Sequence, residues 1–138
     1  MSPTQARKIF VNLPVKDLAK TVEFFAQLGF EFDPKFTDDN ATCMIVNDDA
    51  AVMLLVEDFF KGFVKKDLAD TTTHTEVINA LSAESRERVD ELVDQAFAAG
   101  AQPASDPMDE GFMYSRSFQD LDGHLWEILY MDPSALEG

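Results

Sequence analysis

Apolar positions along the chain recur with two periods, and the changes between them mark out elements. Ile9–Leu13 is a short apolar run that predicts a strand. Leu18, Val22, Phe25 and Leu28 then recur at helical spacing, with Phe24 beside them, which predicts an amphipathic helix of about three turns. Asp17 stands where an N-cap is needed and Gly29 where the chain must leave the helix. Phe30–Phe32, Thr42–Val46 and Ala51–Val56 read as strands, the last two joined by a turn at Asn47-Asp48-Asp49-Ala50. The first half is therefore β-α-β-β-β.

The second half repeats the order. Phe59–Asp70 mixes aromatics with Lys61, Lys65 and Lys66 and is expected to be a short helix or loop with a solvated basic face. Glu76–Leu81 predicts a strand. Ser85 opens a helix with Val89, Leu92, Val93 and Phe97 on one face, and Gly100 closes it. Ala101-Gln102-Pro103 begins an extended segment, and Pro107–Gly111 is a loop. Met113–Phe118 and Leu125–Tyr130 form a closing hairpin around Asp120-Leu121-Asp122-Gly123. The predicted fold is α+β. Two βαβββ modules, residues 8–57 and 74–132 with 58–73 between them, make one domain of 138 residues. Neither module has enough apolar surface to stand alone, so a shared core and a concave ligand cleft are expected.

Composition narrows the partners. Twenty-six acidic residues against 11 basic give a formal charge of −15, the wrong sign for nucleic acid or an anionic membrane surface. No apolar run reaches the roughly 20 residues that span a bilayer. The N-terminal Met1–Lys8 has no apolar stretch behind it, so no signal sequence and a cytoplasmic location are expected. The single cysteine, Cys43, lies in an apolar run and reads as a core thiol. With two histidines in all, no Ser-His-Asp or Cys-His constellation is legible, and no glycine-rich phosphate loop is present.

The position that carries chemistry is Glu127, a carboxylate in the apolar strand Leu125–Tyr130. Such a charge is costly unless paired, neutralised or bound. If Leu121-Asp122 is a two-residue turn, counting outward sets Arg116 opposite Glu127, and the two would pair across the strands. The same count through Asp48-Asp49 sets Cys43 opposite Leu54, an apolar pair suited to a pocket wall. Trp126 alternates away from Glu127 and is expected to pack beneath a helix.

Phe10-Val11-Asn12-Leu13-Pro14-Val15-Lys16-Asp17-Leu18, then Thr21, Phe24-Phe25 and Leu28-Gly29-Phe30, resemble the first strand and helix of the glyoxalase/bleomycin-resistance, or vicinal oxygen chelate, superfamily. Asp120-Leu121-Asp122-Gly123-His124-Leu125-Trp126-Glu127 resembles its closing hairpin, with Leu121 where proline is usual. The branch it resembles is the bacterial one labelled predicted lactoylglutathione lyase. The resemblance implies a homodimer and four metal-ligand positions, here Phe10, Leu54, Ile78 and Glu127. Three of these are apolar, so the expectation is no cofactor and no tightly held divalent metal. Glu76 and His74, upstream of Ile78, are the residues that would rescue such a site. The reading is a small-molecule-binding protein with an apolar cleft lined by Phe10, Asn12, Cys43, Leu54 and Ile78, with Arg116 and Glu127 as its polar groups. The alternatives are a metal-dependent lyase or isomerase, and a metal-free enzyme using Glu127 as its catalytic base.

Overall fold

The computed structural model describes residues 7–136 and divides the chain into two units, residues 1–68 and 69–138. The segment through Ala6, most of the stretch read as lacking a signal sequence, lies outside the described residues. In the first unit, β1 (Ile9–Val15) leads to α1 (Leu18–Gln27), β2 (Glu31–Asp33), β3 (Ala41–Asn47), β4 (Ala50–Val56) and a short α2 (Glu57–Lys61). The sheet order is β1-β4-β3-β2, with β1 parallel to β4 and the other pairs antiparallel. Asp17 caps α1 by accepting from the Lys20 amide at 3.1 Å, and Gly29 leaves the helix at φ 97°. Phe24, Phe25 and Leu28 are buried beneath α1, the first two rings meeting edge to face. Each such side chain contributes about 1.5–3 kcal/mol of hydrophobic stabilisation.

The second unit runs β5 (Ile78–Ser82), α3 (Arg86–Ala98), β6 (Gln102–Pro103), β7 (Met108–Asp109), β8 (Met113–Gln119) and β9 (Leu125–Met131). Its sheet order is β5-β9-β8-β6, with β7 also pairing β8. As in the first unit, the first strand lies parallel to the last, β5 beside β9. Ser85 caps α3 through the Arg88 amide at 3.0 Å, and Val89, Leu92, Val93 and Ala96 form its buried face. The α+β class stands as the hydrophobic pattern predicts, and the first unit is βαβββ; the second has one strand more, because Met108–Asp109, read as part of a loop, pairs with β8. The pattern places the start of β5 two residues early: Glu76 precedes the strand.

Two registers differ from the sequence-based count, each by one residue. The closing turn has three residues, not two. Asp120 donates its amide to the His124 carbonyl at 3.0 Å, and Gly123 sits between them at φ 86°. Glu127 therefore faces Ser117, and Arg116 faces Ile128. In the first unit a bulge between Ile45 and Asn47 shifts the ladder, so Cys43 faces Met53 and Thr42 faces Leu54.

Candidate functional site

In the second unit the sheet has two distinct faces. Tyr114, Arg116 and Phe118 on β8 share one face with Trp126 and Ile128 on β9. This is the face under α3: Arg116 Nη1 donates to Asp90 Oδ1 at 3.0 Å and to Asp94 Oδ1 at 2.9 Å, and Tyr114 Oη donates to Asp90 at 2.6 Å. Trp126, Phe118 and Ile128 are buried there, as expected for Trp126. The predicted Arg116–Glu127 pair is thus corrected. The one-residue longer turn sends Arg116 to the helix side, where two aspartates hold it, and it does not belong with Glu127.

Glu127 lies on the other face. Its lateral neighbours are Ala80 on β5 and Ser117 on β8. The same face carries Ile78, Leu125, Leu129, Ser115, Met113 and Met131 by strand alternation. The Ser117 hydroxyl is occupied by the backbone of Ser105, which donates to it at 2.9 Å and accepts from it at 3.3 Å. Glu127 is half-buried, and its side chain makes no hydrogen bond or ion pair with any described residue.

The turn that brings Glu127 to this position is built by Asp120. One oxygen of its buried carboxylate accepts from the amides of Asp122 at 2.9 Å and His124 at 3.0 Å. The other accepts from Trp126 Nε1 at 2.8 Å. Burial pushes the Asp120 carboxyl up, against the pull of His124 and of the three donors. The Thr71 hydroxyl donates to the Asp122 carbonyl, latching the segment before β5 onto the turn. The most recognisable motif of the sequence is therefore largely a turn-building device, and only its final glutamate is left free.

In the first unit the fully buried set Leu13, Val15, Thr42, Met44, Val52 and Leu54 marks the face under α1. Phe10, Asn12, Cys43 and Met53 lie on the opposite face. Leu54, expected at the site, is wholly buried on the helix side, and Met53 takes its place. Sequence reasoning missed Met53 because β4 is apolar on both faces and offers no alternation to read. Register supplies the missing signal: Met53 stands between Asn12 and Cys43 as Glu127 stands between Ala80 and Ser117. Burial pushes the Cys43 thiol up, which keeps it protonated and a poor nucleophile. The Asn12 side chain donates to the Phe10 carbonyl at 3.2 Å.

By register within each unit, the positions that the resemblance aligns with metal ligands are Phe10 and Met53 in the first unit and Ile78 and Glu127 in the second. Within its own unit, each pair shares one sheet face: Phe10 with Met53 in the first, Ile78 with Glu127 in the second. His74 and Glu76, the other candidate ligands, lie upstream of Ile78. Both are exposed and outside β5, and His74 Nδ1 is 2.7 Å from the Thr73 hydroxyl. No group of three or more His, Cys, Asp or Glu side chains able to hold a metal occurs among the described residues. No helix among them is long and apolar enough to cross a membrane.

Residues 7–47 match the bleomycin resistance protein-like N-terminal family. Comparison with curated protein sequences gives no match. Among solved structures, the hypothetical protein SA1046 from S. aureus is 27% identical with a TM-score of 0.76, over 92% of this chain and 95% of that one. A glyoxalase/bleomycin resistance protein/dioxygenase family enzyme from Burkholderia phytofirmans is 17% identical with a TM-score of 0.73, over 88% and 96%. The fosfomycin resistance protein FosX from Listeria monocytogenes is 23% identical with a TM-score of 0.63, over 97% and 98%. The chain thus shares the fold of solved structures named glyoxalase/bleomycin resistance proteins, and its N-terminal segment is similar to the bleomycin resistance protein-like N-terminal family.

Proposed function

We propose that this protein binds a small organic molecule on the sheet face that carries Glu127, without a metal. The observation that carries the reading is the sheet face of the second unit, where the Glu127 side chain has no partner among the described residues and lies among Ile78, Leu125, Leu129 and Met131. A face of leucine, isoleucine and methionine with a single carboxylate suits burial of an apolar body with one polar contact to orient it. Homodimer formation belongs to the same proposal. The test is metal analysis of purified, untagged protein together with ligand titration. The expected result is less than a tenth of an equivalent of any divalent ion, with ligand binding unaffected by chelator. One tightly held ion per chain would overturn it.

A second reading is metal-free catalysis with Glu127 as general base. It is favoured by one specific observation: Arg116, which would have neutralised Glu127, is committed to Asp90 and Asp94. Its mark would be turnover abolished by Glu127→Gln with ligand binding retained. The third, a metal-dependent lyase acting on a glutathione–aldehyde adduct, needs ligands that Phe10 and Ile78 cannot supply. It predicts turnover of that adduct with added nickel, zinc, cobalt or manganese, and the absence of turnover with all four would remove it.

A further inference from the structure

The edge of the second unit's sheet is interrupted beside Glu127. β6 pairs β8 through Gln102 with Gln119 and Pro103 with Phe118, and β7 pairs it through Met108 with Ser115 and Asp109 with Tyr114. Between them four residues, Ala104–Pro107, lie opposite two on β8, Arg116 and Ser117, so the stretch leaves the ladder as a strap. Pro103 and Pro107 at its borders have no amide to return to the strand beside them. Residues 102–112 are all exposed, so no apolar burial holds the strap down. Among the described residues its attachment to β8 is the Ser117 hydroxyl, which accepts from the Ser105 amide at 2.9 Å and donates to the Ser105 carbonyl at 3.3 Å. Ser117 is also the residue directly opposite Glu127 on the same face, where the Cβ atoms of such a pair stand about 4.5–5.5 Å apart. On its other side Glu127 has Ala80, which offers no side-chain donor.

We propose that the Ser117 hydroxyl couples this strap to Glu127. A hydroxyl has one proton to give and two lone pairs with which to accept. In the state seen here the proton goes to the Ser105 carbonyl and the strap is held by two bonds. A Glu127 rotamer that reaches the hydroxyl takes the proton for its carboxylate, and the strap is left on the Ser105 amide alone. The exchange is open because the bond given up is long, whereas a hydrogen bond to a carboxylate is short and charge-assisted. The two uses of the proton exclude each other, so anything that engages the Glu127 carboxylate returns the proton to Ser105 and closes the strap. Closure on arrival of a ligand rests on the small-molecule-binding reading; the coupling between Ser117, Ser105 and Glu127 does not.

The experiment is amide hydrogen exchange of the full chain without ligand, read by NMR at Ser105. The Ile128 amide, in a strand flanked on both sides by β5 and β8, reports opening of the sheet as a whole. Ser117→Ala should speed exchange at Ser105 by roughly tenfold and leave Ile128 unchanged. Glu127→Leu, which removes the competing acceptor, should slow exchange at Ser105 by about threefold. In the double variant the rate at Ser105 should equal that of Ser117→Ala alone, because without the hydroxyl Glu127 has no route to the strap. Exchange at Ser105 that does not slow in Glu127→Leu, or that slows equally with and without the Ser117 hydroxyl, would overturn the coupling. Slowing of Ile128 in step with Ser105 would also overturn it, in favour of a general stabilisation of the sheet. Failure of the protein to bind any small molecule would remove the ligand-driven closure while leaving these exchange rates, and the coupling they measure, in place.

Discussion

Gly123 meets two separate demands. Its φ of 86° is a conformation that a side-chain-bearing residue adopts at a cost, and the position of its missing Cβ lies 2.5 Å from the Thr71 carbonyl oxygen. The obstacle is backbone, so it cannot swing aside as the end of a flexible side chain would. Gly123→Ala is expected to destabilise the protein by about 2–4 kcal/mol, the sum of left-handed strain and a forced displacement of the Thr71 segment. Chemical denaturation measures this directly. Gly111→Ala is the control: its φ is also positive, at 83°, but nothing lies within 4 Å of the added methyl, so about 1 kcal/mol is expected. Equal losses at the two positions would show that the contact with Thr71 carries no weight. Both glycines are legible as turn residues in the sequence. The neighbour that makes one of them irreplaceable is not, because Thr71 is more than fifty positions away.

At the scale of elements, α3 is fastened to β8 by a polar clamp as well as by apolar packing. Asp90 accepts from Tyr114 Oη and from Arg116, and Asp109 across the sheet accepts from Arg86 at the start of α3. The hydrogen bond from Tyr114, and then that from Arg116, holds the Asp90 carboxyl below its ordinary value of 3.8. The same bond, with burial behind it, holds the Tyr114 phenol above its ordinary value of 10.0. The signs are opposite and the consequences follow from linkage. Stability from Asp90 is present above the ordinary carboxylate value and is lost as pH falls through its lowered folded value. Stability from Tyr114 is present below the ordinary phenol value and is lost as pH rises through its raised folded value. The clamp therefore weakens at both ends of the pH range. Since the Asp90 side chain is 48% exposed, solvent screening reduces the contribution to about 1 kcal/mol. Asp90→Asn should lower stability by that amount at pH 7 and flatten the acid limb of the profile. Tyr114→Phe should flatten the alkaline limb, and unfolding followed from pH 2 to pH 11 checks both. An acid limb unchanged in Asp90→Asn would assign acid sensitivity to other carboxylates. The clamp also shows why strand register is not legible in the apolar pattern. The hydrophobic period places β8, β9 and α3, but a turn of two residues and a turn of three leave identical apolar patterns. One residue of difference moves Arg116 from Glu127 to Asp90. The bulge between Ile45 and Asn47 does the same to Cys43, exchanging Leu54 for Met53.

For the whole molecule, the repeated element order is legible because apolar periodicity is a property of each segment. The candidate site is legible only at Glu127, where a charge interrupts that periodicity. Charge is the other property that belongs to the chain as a whole, and it is unevenly shared. Of the excess of fifteen negative charges, twelve fall in residues 69–138 and three in residues 1–68. Like charges crowded on a compact unit repel one another more than in the extended chain, so part of the folding free energy is spent holding them together. That repulsion is long-ranged at low ionic strength, where the Debye length is about 30 Å at 0.01 M, and is reduced to neighbouring groups at about 0.3 M and above. Surface ion pairs such as Arg88 with Glu84 and Glu91 are too exposed to lose much in return. The net effect of salt is therefore stabilising. Raising sodium chloride from about 0.02 M to about 0.3 M should increase the melting temperature by about 3–6 °C, the shift expected for roughly 1 kcal/mol in a domain of this size. Chloride is the appropriate anion for the test, because sulfate stabilises folded proteins by exclusion from their surface whatever their charge. A melting temperature that stays flat or falls with sodium chloride would mean that specific ion pairs outweigh the net charge.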